Sequence, residues 1–320
     1  MARNVGAARF QVKLCTSGVF TRASAFFSIR VDFPLTALYM ALMNSTPFIK
    51  MHGFGNDFVI LDARETAMAI DAAAVSAIAD RHTGVGCDQV IVMEKGDDGL
   101  ADVFMRIFNA DGGEVAACGN AACCVASLLL SKSEADHVVI GTEGGLRDAE
   151  KTPEGHIAVD MGRAVFDWRD IPLAEAVDSN HPGISEGPLV DGCVVGMGNP
   201  HLVFFVEDAE SVPLETLGPI LERHLLFPER TNVEVVQILS PEKLRMRVWE
   251  RGVGITTACG TGACAALVAA NRRGLAERRA GVVLDGGALV VEWLADDHIL
   301  LTGPASSSFS GELDESLLKS

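Results

Sequence analysis

The stretch "MRIFNADGGEVAACGNAAC" at residues 105–123 returns as "MRVWERGVGITTACGTGAC" at 246–264, gap-free and at a constant offset of 141. Met, Arg, one Gly, Ala, Cys, Gly, Ala and Cys coincide, and Ile/Val and Phe/Trp are chemically paired. A second anchor, "GFGNDFVI" at 53–60 and "GMGNPHLV" at 196–203, shares Gly-x-Gly-Asn at an offset of 143. At that offset Gln89 falls on Asn232, and each opens an alternating valine run, "QVIVM" and "NVEVV". Two anchors in the same order and with almost the same separation indicate an internal duplication. The expected halves are 43–165 and 190–305, too long and too few for a solenoid.

Periodicity fills in each half. "DFVILDA", "DQVIVME", "VFMRIFN", "HLVFFVE", "NVEVVQI", "KLRMRVWE" and "GALVVEW" are short, alternating or β-branched runs with polar or Gly flanks, and read as strands. "AACCVASLLLS" and "GACAALVAANRRG" read as helices, the second closing on basic residues and Gly. Each half thus runs strand, Gly-rich turn, cysteine, helix, and the fold class is α/β with pseudo-twofold symmetry. Between the halves "DSNHPGISEGP" at 178–188 reads as a surface linker, and residues 306–320 read as a frayed tail.

With 320 residues, 48% of them apolar, the chain is expected to bury a sizeable core. Its net charge of -17 repels polyanions, and no basic stripe with interleaved aromatics occurs, so a nucleic-acid partner is not expected. No apolar stretch reaches the length of a membrane span, so no membrane partner is expected either. Residues 1–42 carry five basic residues and no acid before Asp32. They are expected to be a poorly ordered extension: a start misplaced upstream of Met40 or Met43, an organelle transit peptide, or a functional extension. A cytoplasmic location is the default, or an organelle stroma or matrix if the extension is a transit peptide. The eight cysteines are expected to be reduced, because a chain with its own core does not need disulfides.

Cys118 and Cys259 stand where a turn becomes a helix. There unpaired N–H groups and the helix dipole favour negative charge, which is expected to ease loss of the thiol proton. The N–H groups of Gly119-Asn120 and Gly260-Thr261 suit a carboxylate. With the halves face to face, one carbon beside that carboxylate would have a sulfur on each side. Such a pair can take a proton from one face and return one to the other, which is racemisation or epimerisation. Cys123, Cys124 and Cys264 lie inside the helices, where packing is the better reading. The spacings of Cys118, Cys123 and Cys124 do not suit zinc, so no metal is expected. No dinucleotide fingerprint or phosphate loop is present, and no cofactor is expected. The halves differ at Phe58 against His201, and at Asn109-Ala110 against Glu250-Arg251. His201 and Glu250 are suited to tuning the thiols, and Arg251 to a second carboxylate.

The pieces "KMHGFGNDFVILD", "RHTGVGCDQVIV", "MRIFNADGGEVAACGN", "GMGNPHLVFF", "RTNVEVVQI" and "RVWERGVGITTACGTGACAA" resemble the diaminopimelate epimerase family, in order, over roughly 49–305. The resemblance implies two similar α/β domains, each a mostly antiparallel or mixed curved sheet around a central helix, usually assembled as a homodimer. It implies a cofactor-free, metal-free isomerase interconverting LL- and meso-diaminopimelate for lysine and cell-wall synthesis. Carried over by motif, Cys118 and Cys259 are the acid/base thiols, with His201 and Glu250 adjusting their protonation. Gly119, Asn120, Gly260 and Thr261 would hold the reacting carboxylate. Asn56, Gln89, Asn109, Asn199, Asn232, Glu250 and Arg251 would hold the amino groups and the distal carboxylate. The chain departs from the family's usual Arg at Cys123, Gly at Ala121 and Glu at Ile255. Three other readings stay open: a two-cysteine racemase of proline or hydroxyproline, a thiol redox protein using Cys118 and Cys259, and a purely structural or binding module, which leaves the matched cysteines unexplained.

Overall fold

A strand with apolar side chains on both faces must be covered on both, and that requirement orders this molecule. The computed structural model describes residues 46–318 apart from Phe54, Asp97 and Asp98. The expectations for residues 1–42 lie outside the described residues. In β2 (Asn56–Asp62), Phe58 and Ile60 face a large central cluster, whereas Val59 and Leu61 face an outer one. The second half repeats this in β10 (Pro200–Val206): Val203 faces the central cluster, Leu202 and Phe204 an outer one.

The pairing scheme is duplicated with the sequence. In the first half β1 (Thr46–Gly53) and β2 form an antiparallel hairpin. Helix α1 (Ala72–Ala79) then crosses over so that β3 (Gln89–Lys95) lies parallel to β2. β4 (Val103–Asn109) and the short β5 (Glu114–Val115) follow antiparallel. Helix α2 (Gly119–Leu130) brings β6 (His137–Thr142) back parallel to β4, and β7 (Gly145–Lys151) and β8 (Ile157–Arg163) continue antiparallel. The second half runs β9 (Cys193–Gly196), β10, α3 (Leu214–Glu222), β11 (Asn232–Ser240), β12 (Lys243–Glu250), β13 (Gly254–Thr256), α4 (Gly260–Arg272), β14 (Arg279–Leu284), β15 (Gly287–Trp293) and β16 (His298–Gly303). Its strands pair in the same senses, including parallel β10–β11 and β12–β14 across their helices.

The halves meet where β8 and β16 run antiparallel. Val159 pairs Leu301 and Asp160 pairs Leu300, and the offset of 141 turns each pair into the other. That self-matching register is the signature of a local twofold axis. Each half also lends a segment to the other. Val165, just after β8, bridges to Gly196 of β9, and β17 (Ser306–Leu313), just after β16, pairs along β1.

Two expectations change. Residues 306–313 are not a frayed tail: they are β17, held by the β1 ladder, by Phe309 edge-on to Phe48 at 5.9 Å, and by buried Leu313. Serines outside a core look like a loop in sequence, but an edge strand needs only backbone pairing and one anchored end. Residues 178–188 do carry turns, but they are pinned rather than free. Ser179 and Ile184 are buried, and Arg273 at the end of α4 donates to the carbonyls of Asn180 and Gly192.

Helices α2 and α4 lie together inside the central cluster, and α1 and α3 cap the two outer ones. A helix apolar on all sides belongs in an interior, and the run of Ala, Gly and Cys lets two such helices fit one core. Cys123, Cys124 and Cys264 are fully buried there, as their helical positions imply. No helix among the described residues is long and apolar enough to cross a membrane.

Candidate active site

Both cysteines are helix N-caps with nearly the same extended backbone: φ −148, ψ 112 at Cys118 and φ −137, ψ 110 at Cys259. Neither makes a side-chain capping hydrogen bond. The two helix starts abut. A Cβ added to Gly260 would lie 3.3 Å from Asn120 Oδ1 and 3.8 Å from the Gly119 Cα. A Cβ on Gly119 would strike Met161, at 2.7 Å from Cε. A side chain at Gly119 would have to displace the Met161 thioether, and one at Gly260 would press on the Asn120 amide. A Cβ on Gly55, after β1, would lie 3.4 Å from the Thr257 hydroxyl, two residues before Cys259.

The N-cap position was expected to make the thiols more acidic, and the structure reverses that. Burial pushes Cys118 up to about 11, against the pull of the Ala121 and Asn120 N–H groups, and Glu250 and Asp88 add to the rise. Cys259 is pushed well above the ordinary range by burial and then by Glu250 and Glu234, opposed by Thr261 and the Gly262 N–H. Loss of water around a thiolate outweighs a few oriented amides. Glu250 acts on both sulfurs, so the two thiols share one electrostatic site.

Glu250 is itself raised, by burial and by Glu234, although the Thr256 hydroxyl donates to its Oε1 and His201 favours its charge. His201 is fully buried between Glu234, 2.6 Å from Nδ1 to Oε1, and Asn199, 2.8 Å from Nε2 to Oδ1. With oxygens at both nitrogens, either the ring donates twice or the Asn199 amide turns over to donate to Nε2.

The remaining expected residues gather at the same strand ends. Gln89 and Asn109 are cross-strand partners on β3 and β4, and Gln89 Nε2 donates to Asn109 Oδ1 at 2.9 Å. Asn56, at the start of β2, donates to Asp88 at 2.8 Å. Asn232 is buried and used at both ends of its amide: it donates to the Pro200 carbonyl and accepts from the Arg251 N–H. It therefore fixes the turn that carries Arg251, whose own guanidinium is exposed and reaches the Glu229 carbonyl at 3.1 Å. Three side-chain oxygens in these groups are buried with no hydrogen-bond partner: Gln89 Oε1, Asn120 Oδ1 and Glu234 Oε2. Unpartnered buried acceptors are costly, and a donor-rich guest could satisfy them. Of the three departures, Cys123 and Ala121 are buried in α2, and Ile255 sits exposed on β13.

Sequence reading missed Glu234. Its signal was present in "NVEVV": Val233 and Val235 face outward to one cluster, which sends Glu234 inward with Val236. It also missed the network beneath Asn56, where Asp57 pairs with Lys50 and Arg81 at 2.7 Å each and Arg81 reaches Asp88 at 2.8 Å. Among the described residues no group of three or more His, Cys, Asp and Glu side chains is placed to hold a metal ion.

Comparison with known proteins agrees with this architecture. The family profile "Diaminopimelate epimerase" matches residues 48–167 and 193–307, which are the two halves. A diaminopimelate epimerase of Rhodospirillum centenum is 57% identical over 271 residues, covering 85% of this chain and 93% of that protein. One from Acidiphilium cryptum is 52% identical over 272 residues, covering 85% and 98%. Solved structures share the fold at low identity. A hydroxyproline epimerase of Agrobacterium vitis has a TM-score of 0.60 at 14% identity, covering 84% of this chain and 92% of that one. A phenazine biosynthesis protein of Bacillus anthracis has 0.62 at 16%, covering 85% and 100%. On the extent of these matches and the paired cysteine halves, the chain belongs to the diaminopimelate epimerase family.

Proposed function

We propose that this protein is an isomerase that interconverts LL- and meso-diaminopimelate by proton transfer between Cys118 and Cys259. The observation that carries the reading is the pair of N-capping cysteines at two abutting helix starts. A carboxylate seated on the N–H groups of Gly119, Asn120, Gly260 and Thr261 leaves its α-carbon between the sulfurs. One cysteine, as thiolate, takes the α-proton; the carbon's electron pair is delocalised into the carboxylate; the other cysteine, as thiol, gives a proton to the opposite face. After turnover the two have exchanged protonation states.

The raised thiol pKa values serve this step. A desolvated thiolate is a stronger base, which narrows the gap to an α-proton far less acidic than any side chain. The helix N-termini stabilise the charge that then develops on the carboxylate. His201 and Glu250 are assigned to moving the proton that separates the thiol and thiolate forms. Asn56, Gln89, Asn109, Asn199, Asn232, Glu250 and Arg251 are assigned to the amino groups and distal carboxylate. A site with this many amides and an arginine favours a substrate that is polar at its far end, because a proline would leave them unpaired.

Incubation with LL-diaminopimelate in D2O, without added cofactor, tests the reading. Deuterium at the α-carbon with formation of the meso isomer is expected; no incorporation by fresh, reduced protein sinks it. Exchange into L-proline or hydroxyproline instead would move the substrate to the proline class. A reversible Cys118–Cys259 disulfide cycling with a partner reductase, without substrate exchange, would favour a redox role. The family resemblance also supports a homodimer, to be checked by light scattering, and a cytoplasmic location, to be checked by fractionation.

A further inference from the structure

The halves are duplicates, but they diverge together at three positions that touch one another. Where the second half has His201, Glu234 and Gly262, the first has Phe58, Ile91 and Ala121 at the same offsets. All six are buried. Phe58 and Ile91 are plain members of the central cluster. Their counterparts form a hydrogen-bonded pair with no solvent exposure, 2.6 Å from His201 Nδ1 to Glu234 Oε1.

Gly262 is where the carboxylate of this pair meets the sulfur. A Cβ there would lie 2.9 Å from Glu234 Oε1 and 3.2 Å from Cys259 Sγ. The carboxylate and the sulfur thus flank the same glycine, and the missing side chain is the room they share. At Ala121 no carboxylate occupies that space, and a methyl group is accommodated. The second carboxylate oxygen, Glu234 Oε2, is buried with no partner.

We propose that Glu234 is a positioning residue that holds His201 in place and makes Cys259 the thiol that keeps its proton longer in the empty site, so that Cys118 is the first of the two to become a base. The proposal deepens the two-thiol reading above and rests on it. The charged and titratable groups that act here come from three elements: His201 on β10, Glu250 on β12 and Cys259 at the start of α4. Cys118 faces Glu250 and the exposed Asp88 instead, with no counterpart of Glu234. A negative charge beside a thiol opposes its ionisation; Glu250 acts on both sulfurs and the fully buried Glu234 on Cys259 alone, so Cys259 ionises last.

The test is site-resolved alkylation of the full-length protein with iodoacetamide, followed by mass spectrometry across pH, in wild type and E234Q. Gln keeps the size of Glu and removes the charge. In wild type Cys118 is expected to alkylate at lower pH than Cys259. In E234Q the Cys259 midpoint is expected to fall by about one pH unit, so that Cys259 reacts about tenfold faster at a fixed pH below it, while Cys118 moves little. An unchanged Cys259 midpoint in folded E234Q overturns the proposal, as does a wild type in which Cys259 ionises first. If E234Q does not fold, H201F/E234I places the first half's apolar pair in the second half, a replacement that buried ion pairs often tolerate. The two midpoints are then expected to converge; midpoints as far apart as in wild type overturn the proposal. Alkylation needs no turnover, so its failure is separate from absence of exchange in D2O.

Discussion

The two halves share a chain path and spend their polar groups differently. The first runs them from the buried Lys50 out to the exposed Arg81 and Asp88, in an ion network through Asp57 under the Asn56 and Gln89 strand ends. At the matching offset the second half has Cys193, Pro200, His224 and Thr231, and no such network is possible. It places charge inside instead, at His201 and Glu234 against the Cys259 loop. Duplication therefore supplied two equivalent helix starts, and divergence made them unequal. For a reaction that takes a proton from one face and returns it to the other, unequal thiols set which one begins as the base.

The largest effect expected is loss of one thiol. C118A or C259A should lower epimerisation by about a thousandfold or more, read as meso product from LL-diaminopimelate, since general acid–base groups typically contribute 10²–10⁴. C123A should leave turnover within about twofold. If C123A were as damaging as C118A, pairing the halves by their first cysteines would be wrong.

A pH profile probes the shared electrostatics. Both thiols titrate above their ordinary value, so a free site at neutral pH holds little thiolate. Raising the pH adds thiolate, and kcat/KM should climb by up to about tenfold per unit on its acid side before the second thiol ionises. A profile that falls from pH 7 to pH 9 would contradict the burial argument.

Stability should separate the halves as well. Burial raises the Asp57 carboxyl, but Arg81 and Lys50 outweigh it and hold it well below the ordinary 3.8. A depressed carboxyl contributes stability above that value and loses it as pH falls through the folded-state value. D57N should therefore cost roughly 1–3 kcal/mol at neutral pH and flatten the loss of stability below about pH 4, in urea melts. G262A should cost about 1–3 kcal/mol by forcing a methyl into the Glu234 carboxylate. Its mirror, A121G, should cost no more than about 1 kcal/mol. Equal costs for the two would remove the distinction between the loops.

Much of this is legible in the sequence alone. "VFMRIFN", "KLRMRVWE" and "GALVVEW" became strands over the same residues, because alternation against a two-sided core leaves few other solutions. The helices after Cys118 and Cys259 were legible from their small apolar runs. Less visible were strands whose stability comes from neighbours, such as "GLRDAEK" in β7 and the serines of β17, where exposed polar side chains hide the pairing. Glu234 was passed over because its charge sits in an alternating run, and only the strand's inward face tells a buried carboxylate from a solvated one.

By itself the sequence determined the fold class and singled out the repeated cysteine motif, since offset and periodicity are properties of the chain alone. Tertiary structure decided the rest: that the two helix starts abut, that each half hands a segment to the other, and that the thiols are less acidic than their N-cap positions imply. Those outcomes depend on burial and on distances between residues far apart in sequence, and local pattern carries neither.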